Sequence, residues 1–131
     1  MAANTLPIVP IAPIVGAAGT VATSTARTTV VGTGTNTAVT ATSTNGLRID
    51  QIIAQCSATS AAASITLWIY DGTNQYLFDE MVIPAVTAST TVPAARVVRN
   101  YSNLVLPPTY RLFAATTIAQ NTNVFALGGS Y

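Results

Sequence analysis

The side chains able to carry out acid and base chemistry are few and poorly placed for it. The chain has four acidic residues and five arginines, but no histidine and no lysine. General acid–base and nucleophilic catalysis need a base that titrates near neutral pH or one whose pKa is shifted. Asp79 and Glu80 are neighbours, so on a strand their carboxylates point to opposite faces and cannot share one substrate. The sequence therefore predicts no catalytic site and no enzyme.

The chain also has few residues that could bind a metal or a cofactor. Cys56 is the single cysteine, and without histidine it cannot complete a tetrahedral zinc site or find an activating base. Its alternation with Ile52 and Ala54 is typical of a small buried hydrophobe. Asp71 and Asn74 would offer calcium one carboxylate, but a plain hairpin turn explains them better. Gly32-Thr33-Gly34 lacks the third glycine of a dinucleotide fingerprint, so we expect no cofactor.

Aromatic residues offer one candidate binding surface. Trp68 and Tyr70 share one face of a predicted strand, and Tyr76 follows shortly after a turn. Together they would form an exposed aromatic face that binds a glycan or a protein. Packing in the core or across strands is the simpler interpretation of the same residues.

The composition favours assembly with other proteins. Half of the residues are hydrophobic, only 7% are charged, and the net charge is +1, so charge repulsion does little to keep copies apart. The absence of lysine and of any basic cluster argues against nucleic-acid binding. The apolar stretch before Arg27 has no preceding basic residue and is interrupted by prolines, so we expect neither a signal peptide nor a membrane span.

The first nineteen residues are predicted to form an extended arm. Pro7, Pro10 and Pro13 recur at every third position, a spacing that favours a polyproline-like conformation. The arm is too apolar for a solvated linker and is expected to lie in a groove of its own subunit or of a neighbour. Its interface residues would be Ile8, Val9, Ile11, Ile14 and Val15. Deleting residues 1–15 is expected to leave the rest folded.

The remaining chain, residues 20–131, predicts one all-β domain. Residues 64–70 alternate apolar and polar side chains, Asp71-Gly72-Thr73-Asn74 supplies a turn, and residues 75–83 resume a strand, which is a hairpin pattern. A shift of the apolar phase between Ile49 and Ile52 predicts a β-bulge near Gln51.

Further strands are predicted on both sides of this hairpin. They cover residues 20–31 and 37–44 around a Gly-Thr turn, 94–101, an extended run at 104–108 that leads into 110–115, and a short last strand, 124–127. No stretch shows a 3.6-residue period. The pattern predicts a single antiparallel β-sandwich or jelly roll.

Several short segments in this domain also carry a resemblance to a known group of proteins. The segments are Asn45-Gly46-Leu47-Arg48-Ile49, Ile69-Tyr70-Asp71-Gly72-Thr73-Asn74, Leu77-Phe78-Asp79-Glu80, Leu106-Pro107-Pro108 and Ala126-Leu127-Gly128-Gly129-Ser130-Tyr131. In their order and spacing, over about residues 20–131, they resemble small structural virion proteins of tailed bacteriophages and prophages.

The resemblance implies a capsid decoration, or cement, protein. Such a protein is made in the bacterial host cytoplasm, lies on the capsid surface of the virion, and binds and stabilises the shell of the major capsid protein, often as a homotrimer. Two alternatives stay open: a neck, tail or fibre-base component of the virion, and a carbohydrate-binding β-sandwich that uses Trp68 and Tyr70.

Overall fold

The computed structural model describes residues 12–18 and 36–131, and within these ranges the chain is all-β with no helix. The strands are β1 (Ala12–Ala18), β2 (Thr37–Ala38), β3 (Leu47–Cys56), β4 (Ala63–Tyr70), β5 (Gln75–Ile83), β6 (Arg96–Leu106), β7 (Arg111–Thr116) and β8 (Thr122–Ser130). They form two four-stranded antiparallel sheets: sheet A, in the order β1-β8-β3-β6, and sheet B, in the order β2-β7-β4-β5. The fold is a β-sandwich, as predicted.

The hydrophobic core lies between the two sheets. In β3, Leu47 and Ile49 and then Ile52 and Ala54 are buried, so the strand presents one apolar side inward. The largest core side chains come from both sheets and include Ile49, Ile52, Ile65, Leu67, Met81, Ile83, Leu112 and Val124. Burying each of them contributes about 1.5–3 kcal/mol before the cost of ordering the chain. This alternating burial fixes which residues of each strand face outward.

A β-bulge interrupts β3 where the change of apolar phase predicts it. Ile49 pairs with Gly128 of β8, but Gln51 pairs with the next residue, Leu127, so Asp50 is left without a partner. A Cβ on Gly128 would lie 2.8 Å from the Arg48 carbonyl carbon, and closer still to its oxygen. Glycine is required opposite the bulge because the two backbones approach so closely.

The predicted hairpin is confirmed as β4 and β5. The Asp71 N–H donates to the Asn74 carbonyl at 3.1 Å, and Gly72 has a φ of 103°, which L-residues adopt only at a cost. A second bulge changes the register after Leu67, which pairs with Asp79, while Trp68 pairs with Leu77.

Two strands are longer than the sequence predicts. β6 covers residues 96–101 of the strand predicted at 94–101 and residues 104–106 of the extended run predicted at 104–108. The strand continues through an irregularity at Tyr101, Ser102 and Asn103, where Asn103 has a φ of 62°. β8 continues through Gly128-Gly129 instead of ending there. A glycine pair normally indicates a strand end, but here Gly128 allows the close approach of β3.

The N-terminal region also contributes to the sandwich. Residues 12–18, which the sequence analysis assigns to the arm, form β1 and pair with Val124–Ser130 of β8 as an edge strand of sheet A. Residues 1–11 and 19–35 lie outside the described residues, and so does the strand predicted for 20–31. Of the strand predicted at 37–44, only Thr37–Ala38 is a strand, paired with β7.

Candidate protein-binding surface

The outer face of sheet A carries an apolar row that crosses three strands. Ile53 pairs with Val98 of β6 on one side and with Phe125 of β8 on the other. Residues directly opposite each other share a face, and Ile53 points outward because Ile52 and Ala54 are fully buried in the core. Val98 is 42% exposed, and Ile53 and Phe125 are partly exposed. An outward sheet face is ordinarily polar, so this outer row is the unusual feature of the surface.

Polar side chains flank the outer row. On one side, Gln51 donates a hydrogen bond from Nε2 to Oδ1 of Asn100 at 2.8 Å. Beyond it, the Arg48 Nε donates to the Asp50 Oδ1 at 2.7 Å in a half-exposed ion pair. A pair this accessible to water contributes little stability. An apolar centre with a polar rim is the usual composition of a protein interface.

The exposed edge of the sandwich lies beside this face, where β6 ends sheet A and β5 ends sheet B. A cluster of three side chains joins these edges. The Arg99 Nε lies 3.2 Å from the Asp79 Oδ2, and the Tyr101 hydroxyl donates to the same oxygen at 2.8 Å. Arg99 also donates to the Glu80 carbonyl at 2.8 Å. The cluster holds β6 against β5 and so fixes the position of the exposed edge.

The cluster changes the acidity of Tyr101. Burial, followed by the hydrogen bond to the Asp79 carboxylate and its negative charge, raises the pKa of the Tyr101 phenol above its ordinary value. The protonated phenol is the form that donates to Asp79, and a phenolate beside a carboxylate would be repelled. Tyr101 therefore acts as a structural hydrogen-bond donor and not as a base.

Only part of the predicted arm interface can be placed. Ile14 and Val15 lie on β1, where their register partners are Gly128 and Leu127 of β8. Ile8, Val9 and Ile11 lie outside the described residues. The backbone of residues 12–18 is thus engaged by the chain's own sheet.

The predicted aromatic patch does not form. Trp68 follows Leu67, which lies in the core, so it points to the other face of sheet B; it is fully buried there. Its Nε1 donates to the Thr66 hydroxyl at 3.0 Å, and this hydroxyl donates to the Ala115 carbonyl. Tyr76 is 41% exposed but pairs with Ile69, which places it on the opposite face from Trp68 and Tyr70. A glycan cannot stack on Trp68 because its ring is buried. The carbohydrate-binding alternative depended mainly on that ring.

Tyr70 instead belongs to a compact aromatic group with β7. Its ring lies edge-to-face against Phe113, with centroids 5.2 Å apart. The Arg111 guanidinium lies 5.1 Å from the Tyr70 centroid and 5.3 Å from that of Phe113. These contacts are the cross-strand packing that the simpler interpretation of Tyr70 predicts.

The residues considered for chemistry have structural environments. The Cys56 thiol is buried, 3.6 Å from the Thr122 hydroxyl. The N–H groups of Asn74 and Thr73 donate to Asp71 Oδ1 at 2.7 and 2.8 Å and lower the pKa of that carboxyl, as in a capped turn. Among the described residues, no three acidic, cysteine or histidine side chains come together as metal ligands. The described part of the chain also has no helix able to cross a membrane.

Comparisons with protein families, with curated proteins and with solved structures find no match to this chain. The surface of the sandwich itself is therefore the guide to function.

The outer row is the feature that the sequence analysis missed. A local signal was present, because Val124-Phe125-Ala126-Leu127 is apolar at every position, which is typical of a strand covered on both faces. The sequence does not show, however, that Phe125 aligns with Ile53 and Val98.

Proposed function

We propose that the chain is a structural virion protein of a tailed bacteriophage, most specifically a capsid decoration protein that binds the major capsid protein shell. The observation that carries the proposal is the outer row, an apolar stripe on a sheet face that would otherwise be polar. It gives the β-sandwich a surface suited to a protein partner. The resemblance of residues 20–131 to phage virion proteins supplies the identity of that partner.

Low charge supports the same proposal. With 7% charged residues and a net charge of +1, the protein gains little from electrostatic steering, and its contacts would depend on shape and apolar burial. A capsid shell presents many equivalent sites, one set on each repeated subunit. Binding at each site can therefore be weak while the particle as a whole is stabilised.

A binding assay on empty shells tests the proposal. Shells of the phage or prophage that encodes the chain, assembled without this protein, are mixed with purified protein and pelleted. We expect saturable binding at a copy number comparable to that of the major capsid protein or its symmetry axes. Binding to a single low-copy ring would favour the neck or tail alternative, and absence from the particle would refute both.

A matched pair of variants links the binding to the outer row. Ile53→Asp places a charge in the row, whereas Val82→Asp places one on sheet B, where Val82 is 69% exposed. We expect the first variant to weaken shell binding at least about tenfold and the second to bind like the wild type, with circular dichroism confirming that both fold. Equal binding by the two variants would remove the outer row from the interface.

A further inference from the structure

The outward edge of β6 has backbone groups available for another strand. The Cys56 N–H donates to the Ala95 carbonyl at 2.9 Å, and antiparallel pairs alternate between hydrogen-bonded and non-hydrogen-bonded. Along the β3–β6 register, this alternation makes every second residue of β6 a non-hydrogen-bonded one. The N–H and C=O groups that point away from β3 are therefore those of Arg96, Val98 and Asn100. Among the described residues, none of these groups has a backbone partner.

Two of the usual devices that block strand pairing are absent from the first five residues of this edge. Residues 96–100 contain no proline and no bulge, and the charge of Arg99 is engaged by Asp79 of β5. The irregularity at residues 101–103 ends the regular edge, so only a short segment can pair. Such a free, regular segment is a template for strand addition.

The segment is complementary to itself in one register. When two copies align antiparallel about a two-fold axis at Val98, each Val98 lies opposite Val98 of the partner subunit. Arg96 then lies opposite Asn100 of the partner subunit, and the reciprocal pair forms by symmetry. Shifted registers place Arg96 opposite an apolar valine or Val98 opposite a polar asparagine, and alignment at Arg96 would bring two cations together.

We propose that two copies of the chain associate by antiparallel pairing of residues 96–100 of β6, with Val98 on the two-fold axis. The pairing joins two copies of sheet A into one continuous sheet. It also joins the two outer rows, because each Val98 continues the row of Ile53 and Phe125. The partner is a second copy because residues 96–100 are complementary to themselves in this register, which is what an isologous contact requires. The inference does not depend on the proposed virion function.

Analytical ultracentrifugation of the full chain tests this pairing, with variants at two similar valines. Val98→Lys places two like charges opposite each other on the axis, whereas Val105→Lys adds the same charge on β6 beyond the irregularity, where Val105 is 49% exposed. We expect a wild-type dimer, at least about a tenfold rise in the dimer dissociation constant for Val98→Lys, and no change for Val105→Lys. Circular dichroism checks that both variants fold.

Disulfide trapping detects the same contact when the dimer is weak. Opposed residues of a hydrogen-bonded antiparallel pair have Cα atoms about 5.5 Å apart, within the range a disulfide spans. Val98→Cys should therefore cross-link two copies under mild oxidation, while Val105→Cys should not, and the native Cys56 is buried. A wild-type monomer without cross-linking, or a dimer or trimer unaffected by Val98→Lys, would overturn the proposal.

Discussion

Replacing Gly128 with alanine should strongly destabilise the sandwich. The added Cβ would lie 2.8 Å from the Arg48 carbonyl carbon and 3.0 Å from the Ile49 Cα, and closer than either to the Arg48 oxygen. All of these are backbone atoms of β3, so no side-chain rotation can relieve the collision. The φ of Gly128 is not in the left-handed region, so the predicted effect is steric.

The size of the effect follows from how far the strands must separate. Restoring normal contacts requires β3 and β8 to move apart by about 1 Å, which takes the ladder hydrogen bonds on either side of the bulge out of range. Two such bonds at about 1 kcal/mol each, and about 1 kcal/mol of looser packing around Ile49, give a loss of about 3 kcal/mol. For a chain of this length that corresponds to a fall in Tm of about 12 °C.

Urea unfolding followed by tryptophan fluorescence measures this loss. Trp68 is the only tryptophan and is fully buried, so its emission reports on folding. Gly72→Ala is the matched control: nothing lies within 4 Å of a Cβ there, and only the positive φ is unfavourable, at about 1 kcal/mol. If Gly128→Ala lowers the free energy of unfolding no more than Gly72→Ala does, the close approach of β3 and β8 is not the reason that position 128 requires glycine.

Two further predictions concern the edges of the sandwich. Because the folded-state pKa of Tyr101 is raised above its ordinary value of 10.0, its stabilising contribution is present below that pH and lost as pH rises above it. In urea titrations, the stability advantage of wild type over Tyr101→Phe should thus stay constant up to about pH 9 and shrink as the pH rises above 10.0; a difference that stays constant above pH 10.0 would contradict this. Deleting residues 1–15 removes about half of β1 and should lower the free energy of unfolding by about 2 kcal/mol, at about 1 kcal/mol per ladder bond. Deleting residues 1–11 preserves the β1 ladder and serves as the control. If the two truncated chains are equally stable, β1 does not stabilise the sandwich.

Features of the fold set by neighbouring residues could be predicted from the sequence. The alternation of residues 64–70, with the Asp71-Gly72 turn, was sufficient for the β4–β5 hairpin, since the two strands are adjacent in the chain. The bulge near Gln51 was predictable because it shifts the apolar phase within β3 itself. Both predictions depend only on local spacing, and both are confirmed.

Features set by distant residues could not be predicted in this way. The extended arm predicted for residues 1–19 contains a strand, because residues 12–18 pair with β8, and no local pattern identifies a partner so far along the chain. Position 128 requires glycine because the backbone of Arg48, distant in the sequence, lies too close to it for a Cβ atom. The outer row depends likewise on the register of β3, β6 and β8, although each of its members is visibly apolar in the sequence.

The position of β8 between β1 and β3 has a consequence for synthesis on the ribosome. β1 is translated early but has no partner in sheet A until residues 122–130 emerge. During that interval β3 can pair with β6, while its other edge stays open. Sheet B also needs a late strand, because β7 lies between β2 and β4, but β7 precedes β8 in the chain. Sheet A is therefore the last sheet to be completed, and a nascent chain that ends before Thr122 would leave β1 and one edge of β3 without their partner strand.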